Sequence, residues 1–497
     1  MKESKFLAID FGAESGRAIV GILKDKKIEL VEVHRFPNKI VNVFDSMYWN
    51  ILYLYDELKK GIIKAIQLGH HDIESIAVDT WGVDFGLITK DGQLLGFPFA
   101  YRDARTNGML ERAFELLPKD EIYKLTGNQF MQINSAFQLL SMVECNNQLL
   151  KSADKLLFMP DLFNYLLTGE KKSEYTIAST SQLLNAKEKK WEQKIFSQLN
   201  LPQRLMADIV MPGTKIGNLL PSVCDSTVLN NVEVIAVGSH DTASAVAAVP
   251  NLEENGVYIS SGTWSLIGIE SDQPIINKES LKYNFTNEGG VGGKIRFLSN
   301  VMGMWIIQQL KKEWELGGSK YTYSELNELA ASAAPFICVI DPDNTEFLNP
   351  KSMVETINHF CEKTNQKKPN TKGEYVRAVL ESLAFKYRSI IEKINELTDR
   401  NIQTINIVGG GSQNDLLNQF TANATGIKVV AGPVEATAFG NIMVQAIAKG
   451  KIKDIKEGRE IIKNSVELKK YLPIQKDIWE RKYQESNQIL EKYYNVN

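Results

Sequence analysis

Two short stretches of the chain carry the residue types that a polyphosphate site needs, and they are built alike. Leu7-Ala-Ile-Asp-Phe-Gly-Ala-Glu-Ser-Gly-Arg-Ala-Ile-Val-Gly-Ile22 reads as strand, glycine turn, strand, and Val257-Tyr-Ile-Ser-Ser-Gly-Thr-Trp-Ser-Leu-Ile-Gly-Ile269 repeats the plan in the second half. Turns rich in Gly and Ser let backbone N–H groups converge on one point, and convergent amides receive phosphate oxygens. Asp10, at the end of the first predicted strand, can hold Mg²⁺ through its waters, and Thr263 in the second turn offers a hydroxyl as well as its N–H. Either stretch alone could be an ordinary hairpin; the echo is what favours two related domains gripping one polyphosphate.

A third candidate is Asp241. Val232-Glu-Val-Ile-Ala-Val-Gly-Ser-His-Asp-Thr-Ala-Ser-Ala-Val246 predicts a buried strand, a sharp turn and the start of a small-residue helix. Asp241 then sits at a strand's carboxyl end, where α/β folds place ligands. Phosphoryl transfer needs a carboxylate that orients the attacking hydroxyl and accepts its proton late. With an ordinary pKa of about 4, Asp241 would be ionised and a poor base for an alcohol, so positioning comes first. The competing reading is a helix N-cap. The triplet Gly409-Gly-Gly411, between a predicted strand and a predicted helix, would let a ligand approach bare backbone, although tight packing also selects glycine. It fits neither G-x-G-x-x-G nor a Walker loop, since no Gly-Lys-Ser/Thr occurs in the chain.

The elements that must position these residues follow from periodicity. Residues 27–36 alternate as a strand; Ile51, Tyr55, Leu58, Ile62 and Ile66 lie on one helical face; Ser75-Ile-Ala-Val-Asp79 is a short apolar strand ending in an acid. The order β-β-β-α-β suggests a mixed sheet covered by helices. Later, Val376, Val379, Leu380, Leu383, Tyr387 and Ile391 form one face of a long helix, and a tail helix from about 474 turns Trp479, Tyr483, Leu490 and Tyr493 inward.

With 497 residues, two domains are the expectation. Composition is that of a globular protein, 43% hydrophobic and 24% charged, and 57 Lys+Arg against 60 Asp+Glu leave a net charge of −3, which gives no reason to expect nucleic acid or an anionic membrane as partner. Met1-Lys-Glu-Ser-Lys runs into a strand without an apolar leader, and no stretch approaches a membrane span, so the cytoplasm is the expected compartment. Cys145, Cys224, Cys338 and Cys361 lack any Cys-x-x-Cys spacing and read as buried thiols. Zinc chemistry and a Cys/His nucleophilic pair are not expected from the five histidines.

Eight short motifs in order along the chain carry a resemblance: residues 8–17 and 79–85, Tyr101-Arg-Asp-Ala-Arg-Thr-Asn-Gly108, Gly238-Ser-His-Asp-Thr-Ala-Ser-Ala-Val246, Ser260-Ser-Gly-Thr-Trp-Ser265, Thr286-Asn-Glu-Gly-Gly290, Asn300-Val-Met-Gly-Met-Trp305 and Val408-Gly-Gly-Gly-Ser-Gln-Asn414. On these the chain resembles the FGGY family of carbohydrate kinases. The resemblance implies an α/β fold of two actin-like (ribonuclease-H-like) domains with a nucleotide and sugar cleft between them. Residues 1–246 would form the N-terminal domain, with the sugar site, first phosphate hairpin and catalytic aspartate, and 247–497 the ATP-binding C-terminal domain with its terminal helix. It implies Asp241 as catalytic base; Gly82, His240, Thr242 and Asn300 as sugar contacts; Ala13, Glu14, Ser15, Gly16, Arg17, Thr263, Gln308 and Gly410 as ATP contacts; and Asp10 as the Mg²⁺ residue. Many members have Thr-Thr or Thr-Ser where this chain has Ala13-Glu14, and a Lys and a Trp absent from Met159–Gly169 here. Glu14 beside a phosphate loop is tolerable only if it points outward.

The implied reaction is phosphorylation of a small ketose at its C1 hydroxyl. L-rhamnulose is the expected substrate, and L-fuculose or D-xylulose are alternatives. A reading of another class is an actin-like ATP-driven interaction module, but nothing beyond residue 450 resembles an appended partner-binding domain. Oligomeric state leaves no short motif to read.

Overall fold

A computed structural model describes residues 3–227, 229 and 232–496; Met1 and Lys2, read above as the start of a chain without an apolar leader, lie outside the described residues. The chain forms two units. The first holds the chain to Pro250 together with Glu270–Leu298 and Ala436–Val466; the second holds Asn251–Ile269, Ser299–Glu435 and the residues from Glu467 onward. Two segments from the second half of the sequence thus build the first unit.

In the first unit, β1 (Ser4–Phe11) and β2 (Ser15–Lys24) form the expected hairpin, and β3 (Lys27–Pro37) adds to β2 antiparallel. After the helix α1 (Ile51–Gln67), β4 (Ile73–Thr80) pairs parallel with β1. β5 (Lys215–Asn218) and β6 (Glu233–Ile235) complete the order β5-β6-β4-β1-β2-β3. β1 and β4 are buried along nearly their whole length, which is why they read as continuous apolar runs rather than alternating ones. α1 buries Ile51, Leu58 and Ile62 as expected, with Leu54, Gly61 and Ala65. Tyr55 and Ile66 are only partly buried, because the stripe is centred on Gly61, where a Cβ would come within 2.6 Å of the Ala18 Cβ.

The helix Ala436–Ala448 packs beneath β1 and β4. Gln445 donates to the Leu7 carbonyl (3.1 Å) and accepts from the Ser75 hydroxyl (2.7 Å). It meets α2 (Asp241–Ala247) backbone to backbone, since a Cβ on Gly440 would lie 1.9 Å from the Ser244 carbonyl oxygen.

The second unit repeats the arrangement. β7 (Gly256–Ser261) and β8 (Trp264–Ser271) form the second hairpin; β9 (Thr404–Val408) is parallel to β7, β10 (Lys428–Ala431) parallel to β9, and β11 (Lys469–Tyr471) antiparallel to β10. The order β8-β7-β9-β10-β11, strand for strand and direction for direction, is that of β2-β1-β4-β6-β5. The helix α3 (Lys372–Thr398) starts at a Thr371/Glu374 capping box and buries all six residues assigned to its inner face. On α4 (Lys476–Val496), Trp479 and Tyr483 are buried against Phe385, while Leu490 and Tyr493 are only half-buried.

The cysteine expectation needs correction. Cys338 and Cys361 are buried, but Cys224 is partly accessible and Cys145 exposed; all four are free thiols.

Asp84 ties the segment after β4 into the core of the first unit. Its carboxylate accepts from Trp49 Nε1 (2.6 Å), Trp81 Nε1 (3.0 Å), the Tyr101 N–H (3.1 Å) and Gln138 Nε2 (2.9 Å), and burial pushes its pKa up to about 6 against those bonds. Asp84→Ala leaves buried donors facing a void, so urea unfolding should show a loss of at least about 3 kcal/mol; a loss below about 1 kcal/mol would mean that the donors find other acceptors.

Candidate functional site

The carboxyl ends of neighbouring strands bring three aspartates into one region of the first unit. Asp10 at the end of β1 and Asp79 at the end of β4 are register partners. The Thr80 N–H donates to the Ser239 carbonyl (2.9 Å), which aligns the turn after β6 with the end of β4 and places Asp241 as the first residue of α2. The helix N-cap is His240, not Asp241.

Crowding of negative charge dominates the electrostatics. Asp10 is paired with Arg17, its cross-strand partner, at 2.6 Å. Asp79 is fully buried: one oxygen accepts from Asn441 Nδ2 (2.5 Å) and the other has no hydrogen-bond partner among the described residues. Burial, and then the charge of Asp10, hold the Asp79 carboxyl well above the usual range. Burial likewise raises the Asp241 pKa, and Asp10 adds to the rise, while His240 and the bonds from the Thr242 N–H (2.5 Å) and hydroxyl (3.1 Å) offset it. The ordinary acidity assumed for Asp241 from its sequence therefore does not hold, because the turn folds it inward.

These residues could take a divalent cation. Asp10 and Asp79 supply hard oxygen donors, one of them an orphaned buried oxygen. Among the described residues no three His, Cys, Asp or Glu side chains form a closed metal cage.

The turn carrying His240 is held from behind. Glu174, buried and with its pKa pushed up to about 7 by burial, accepts from the Ser239 N–H (3.2 Å) and from the Thr176 N–H and hydroxyl; Thr176 Oγ1 accepts from the His240 N–H (3.1 Å). His240 Nδ1 lies 3.0 Å from Arg296 Nη2 and 3.3 Å from Glu288, and its Nε2 lies 3.5 Å from Asp241. A Cβ on Gly82 would meet that Nε2 at 3.4 Å and Thr180 Oγ1 at 3.5 Å. Next to it, Val83 has φ of 68°, a left-handed conformation rare for a β-branched residue, fixed by the Thr180 hydroxyl on its N–H (3.2 Å) and the Ser135 hydroxyl on its carbonyl. Gly82, His240, Asp241 and Thr242 are thus one cluster.

The first hairpin turn is closed by Gly12 N–H to the Ser15 carbonyl (3.0 Å) and clamped by Asn38, whose Nδ2 donates to the Gly12 carbonyl (2.8 Å). Ala13 and Ser15 are half-buried; Gly16 lies where a Cβ would be 2.3 Å from the Phe36 ring; Glu14 is exposed, the outward placement its charge requires.

In the second unit, Gln308 on the helix Trp305–Leu316 donates to the Thr263 hydroxyl (3.4 Å), and its Oε1 is buried with no partner among the described residues. Asn300 is half-buried on the strand Ile295–Met302. The glycine triplet divides residue by residue. A Cβ on Gly411 would lie 2.0 Å from Ser261 Oγ, and Gly409 has φ of 83° against the Ser261 carbonyl; a Cβ on Gly410 would meet nothing within 4 Å. Packing claims Gly409 and Gly411 and leaves Gly410 open.

Sequence reasoning did not single out Asp79, Glu174, Glu288 or Arg296. Asp79 and Glu288 lie inside quoted motifs, whereas Arg296 has no local signal.

Two units with the same mixed five-strand order, each opening on a Gly/Ser hairpin, define the actin-like, ribonuclease-H-like class of α/β fold. The chain belongs to the FGGY family of carbohydrate kinases, whose N-terminal domain matches residues 5–248 and whose C-terminal domain matches residues 257–449. A rhamnulokinase of Bacteroides thetaiotaomicron is 46% identical over 97% of this chain and 98% of its own length, and one of Bacillus subtilis 39% identical over 95% and 96%. The fold is shared with a xylulose kinase from Lactobacillus acidophilus (TM-score 0.80, 15% identity, 99% of this chain and 97% of that one) and with Plasmodium falciparum glycerol kinase (0.79, 14%, 99% and 98%).

The glycine geometry yields a paired test. Gly411→Val should lower the melting temperature sharply, since its Cβ has no room, whereas Gly410→Val should leave it unchanged and raise the KM for ATP far more than that for sugar. An unchanged ATP KM in Gly410→Val would remove Gly410 from the nucleotide site.

Proposed function

We propose that the chain transfers the γ-phosphoryl group of ATP to the C1 hydroxyl of L-rhamnulose, giving L-rhamnulose 1-phosphate and ADP. The observation that carries the reading is identity of 38–46% over nearly the full length with several proteins named rhamnulokinase. Four free thiols suit the reducing cytoplasm, and among the described residues no helix is long and apolar enough to cross a membrane.

Asp241 is the base in this reading. Its carboxylate takes the C1 hydroxyl proton as the oxygen–phosphorus bond forms and the bond from the γ-phosphorus to the ADP oxygen breaks. Thr242 holds the carboxylate in place, and Gly82, His240, Thr242 and Asn300 contact the ketose. Ala13, Glu14, Ser15, Gly16 and Arg17 of the first turn, with Thr263, Gln308 and Gly410, contact ATP. Asp10, assisted by Asp79, would hold Mg²⁺, which when bound neutralises phosphate charge; Arg17 must then loosen its hold on Asp10.

Initial rates on a ketose panel test the assignment. L-rhamnulose should give the highest kcat/KM, and equal turnover of D-xylulose or L-fuculose would overturn the substrate while leaving a ketose kinase. Asp241→Asn should lower kcat by about 10²–10⁴-fold with ATP binding retained; a variant keeping more than about a tenth of the activity would assign the base elsewhere. Because Asp241 must be ionised to accept a proton and its pKa in the free protein is raised, kcat/KM should fall with decreasing pH along an acid limb whose midpoint lies above the ordinary aspartate value of about 3.9. An acid limb at or below that value would contradict the buried setting.

A further inference from the structure

Arg296 is fully buried, and every hydrogen bond it makes is a donation. Nε donates to the Gly289 carbonyl (2.9 Å); Nη2 has two hydrogens and two acceptors, Glu288 Oε2 at 2.9 Å and His240 Nδ1 at 3.0 Å; Nη1 is buried without a partner among the described residues. The pair is set by the backbone, since Glu288 and Arg296 face each other across the antiparallel strands Thr286–Gly289 and Ile295–Met302. The Glu288 carboxyl lies below the usual range: burial opposes its ionisation, and the charge of the Arg296 guanidinium is the largest cause favouring it.

A guanidinium has no acceptor, so the imidazole nitrogen 3.0 Å from Nη2 has to be the one with a lone pair. A hydrogen on Nδ1 would point donor at donor toward Arg296, and turning it to Glu288 Oε2, farther off at 3.3 Å, would leave an Nη2 hydrogen without its acceptor beside an Nη1 that already lacks one among the described residues. The hydrogen of neutral His240 then belongs on Nε2, the nitrogen that faces Asp241 and the space beside Gly82. The geometry points to Arg296, braced by Glu288, as a positioning residue that fixes the His240 tautomer with Nε2 as hydrogen-bond donor to the sugar. This inference rests on the proposed sugar contact of His240 and deepens it. With its lone pair committed to Arg296, His240 cannot compete with Asp241 for the hydroxyl proton; it orients an oxygen of the acceptor, and proton acceptance is left to one carboxylate.

The test reads tautomer and kinetics separately. In protein labelled with ¹⁵N-histidine, long-range ¹H–¹⁵N correlation of the five histidines, with His240 assigned by its loss in His240→Asn, should show Nε2 protonated and Nδ1 bare. Arg296→Met should move the hydrogen toward Nδ1, where Glu288 accepts it, and raise the ketose KM by about tenfold or more with the ATP KM unchanged. Arg296→Lys, which keeps a donor, should retain the wild-type tautomer, as should Glu288→Gln. A wild-type His240 protonated on Nδ1 or on both nitrogens, or an Arg296→Met spectrum identical to wild type, would overturn the proposal. If Arg296→Met does not fold, the wild-type and Arg296→Lys spectra still decide it. Expected spectra with no phosphorylation of any ketose would instead refute the proposed reaction and leave the tautomer assignment standing.

Discussion

Negative charge gathered at the ends of adjacent strands is the constraint around which the first unit is arranged. Asp10 and Asp79 are neighbours in register, and Asp241 begins the helix after the next turn. Unpaired, such carboxylates could not share a buried site in ionised form. The surrounding residues divide the load: Arg17 neutralises Asp10 across the hairpin, Asn441 gives Asp79 one of the two partners it needs, and Thr242 and His240 favour the ionised form of Asp241. Asp79 remains incompletely satisfied, with one buried oxygen lacking a partner among the described residues.

The duplicated sheet supplies the geometry for this. A parallel pair with an antiparallel hairpin on one side leaves the hairpin turn and the neighbouring strand's carboxyl end at the same edge. Each unit uses that edge differently. In the first, acids occupy the strand ends; in the second, small and hydroxyl residues do, and the glycine turn after β9 abuts Ser261 so tightly that no side chain fits at Gly411. One architecture thus presents carboxylates at the strand ends of one unit and bare backbone and hydroxyls at those of the other.

Local features of the chain were legible because their signals are local. Both hairpins, the strand–turn–helix that carries Asp241, and the inner face of α3 depend on residues within a few positions of one another, where periodicity and turn chemistry act. The outer limits of the α1 stripe were misjudged because Gly61, which periodicity scores as neutral, sets the closest approach. The acidity of Asp241 and the partners of the site were not legible. Asn441 reaches Asp79 from 362 residues away and Arg296 reaches His240 from 56, separations at which a single sequence carries no pairing information. The family resemblance named site residues but not the residues behind them, since Asn441 and Arg296 lie in stretches without a turn, charge or spacing signature.

The two devices around Asp241 act in opposite senses, and their balance matters for the chemistry. A carboxylate of ordinary pKa is so much weaker a base than an alkoxide that it accepts a proton only very late in the transfer; burial raises its pKa and strengthens it. Burial carried further would protonate the group at neutral pH and remove it from the reaction. Thr242 donates to the ionised carboxylate, and His240 beside it favours the same form, so the two limit the rise that burial begins. Imidazole is intrinsically the stronger base of the two neighbours. In the proposed reaction Asp241 keeps the proton-accepting role because the lone pair of His240 faces a guanidinium that is always charged, so the weaker base is the one whose oxygen would remain available to the substrate.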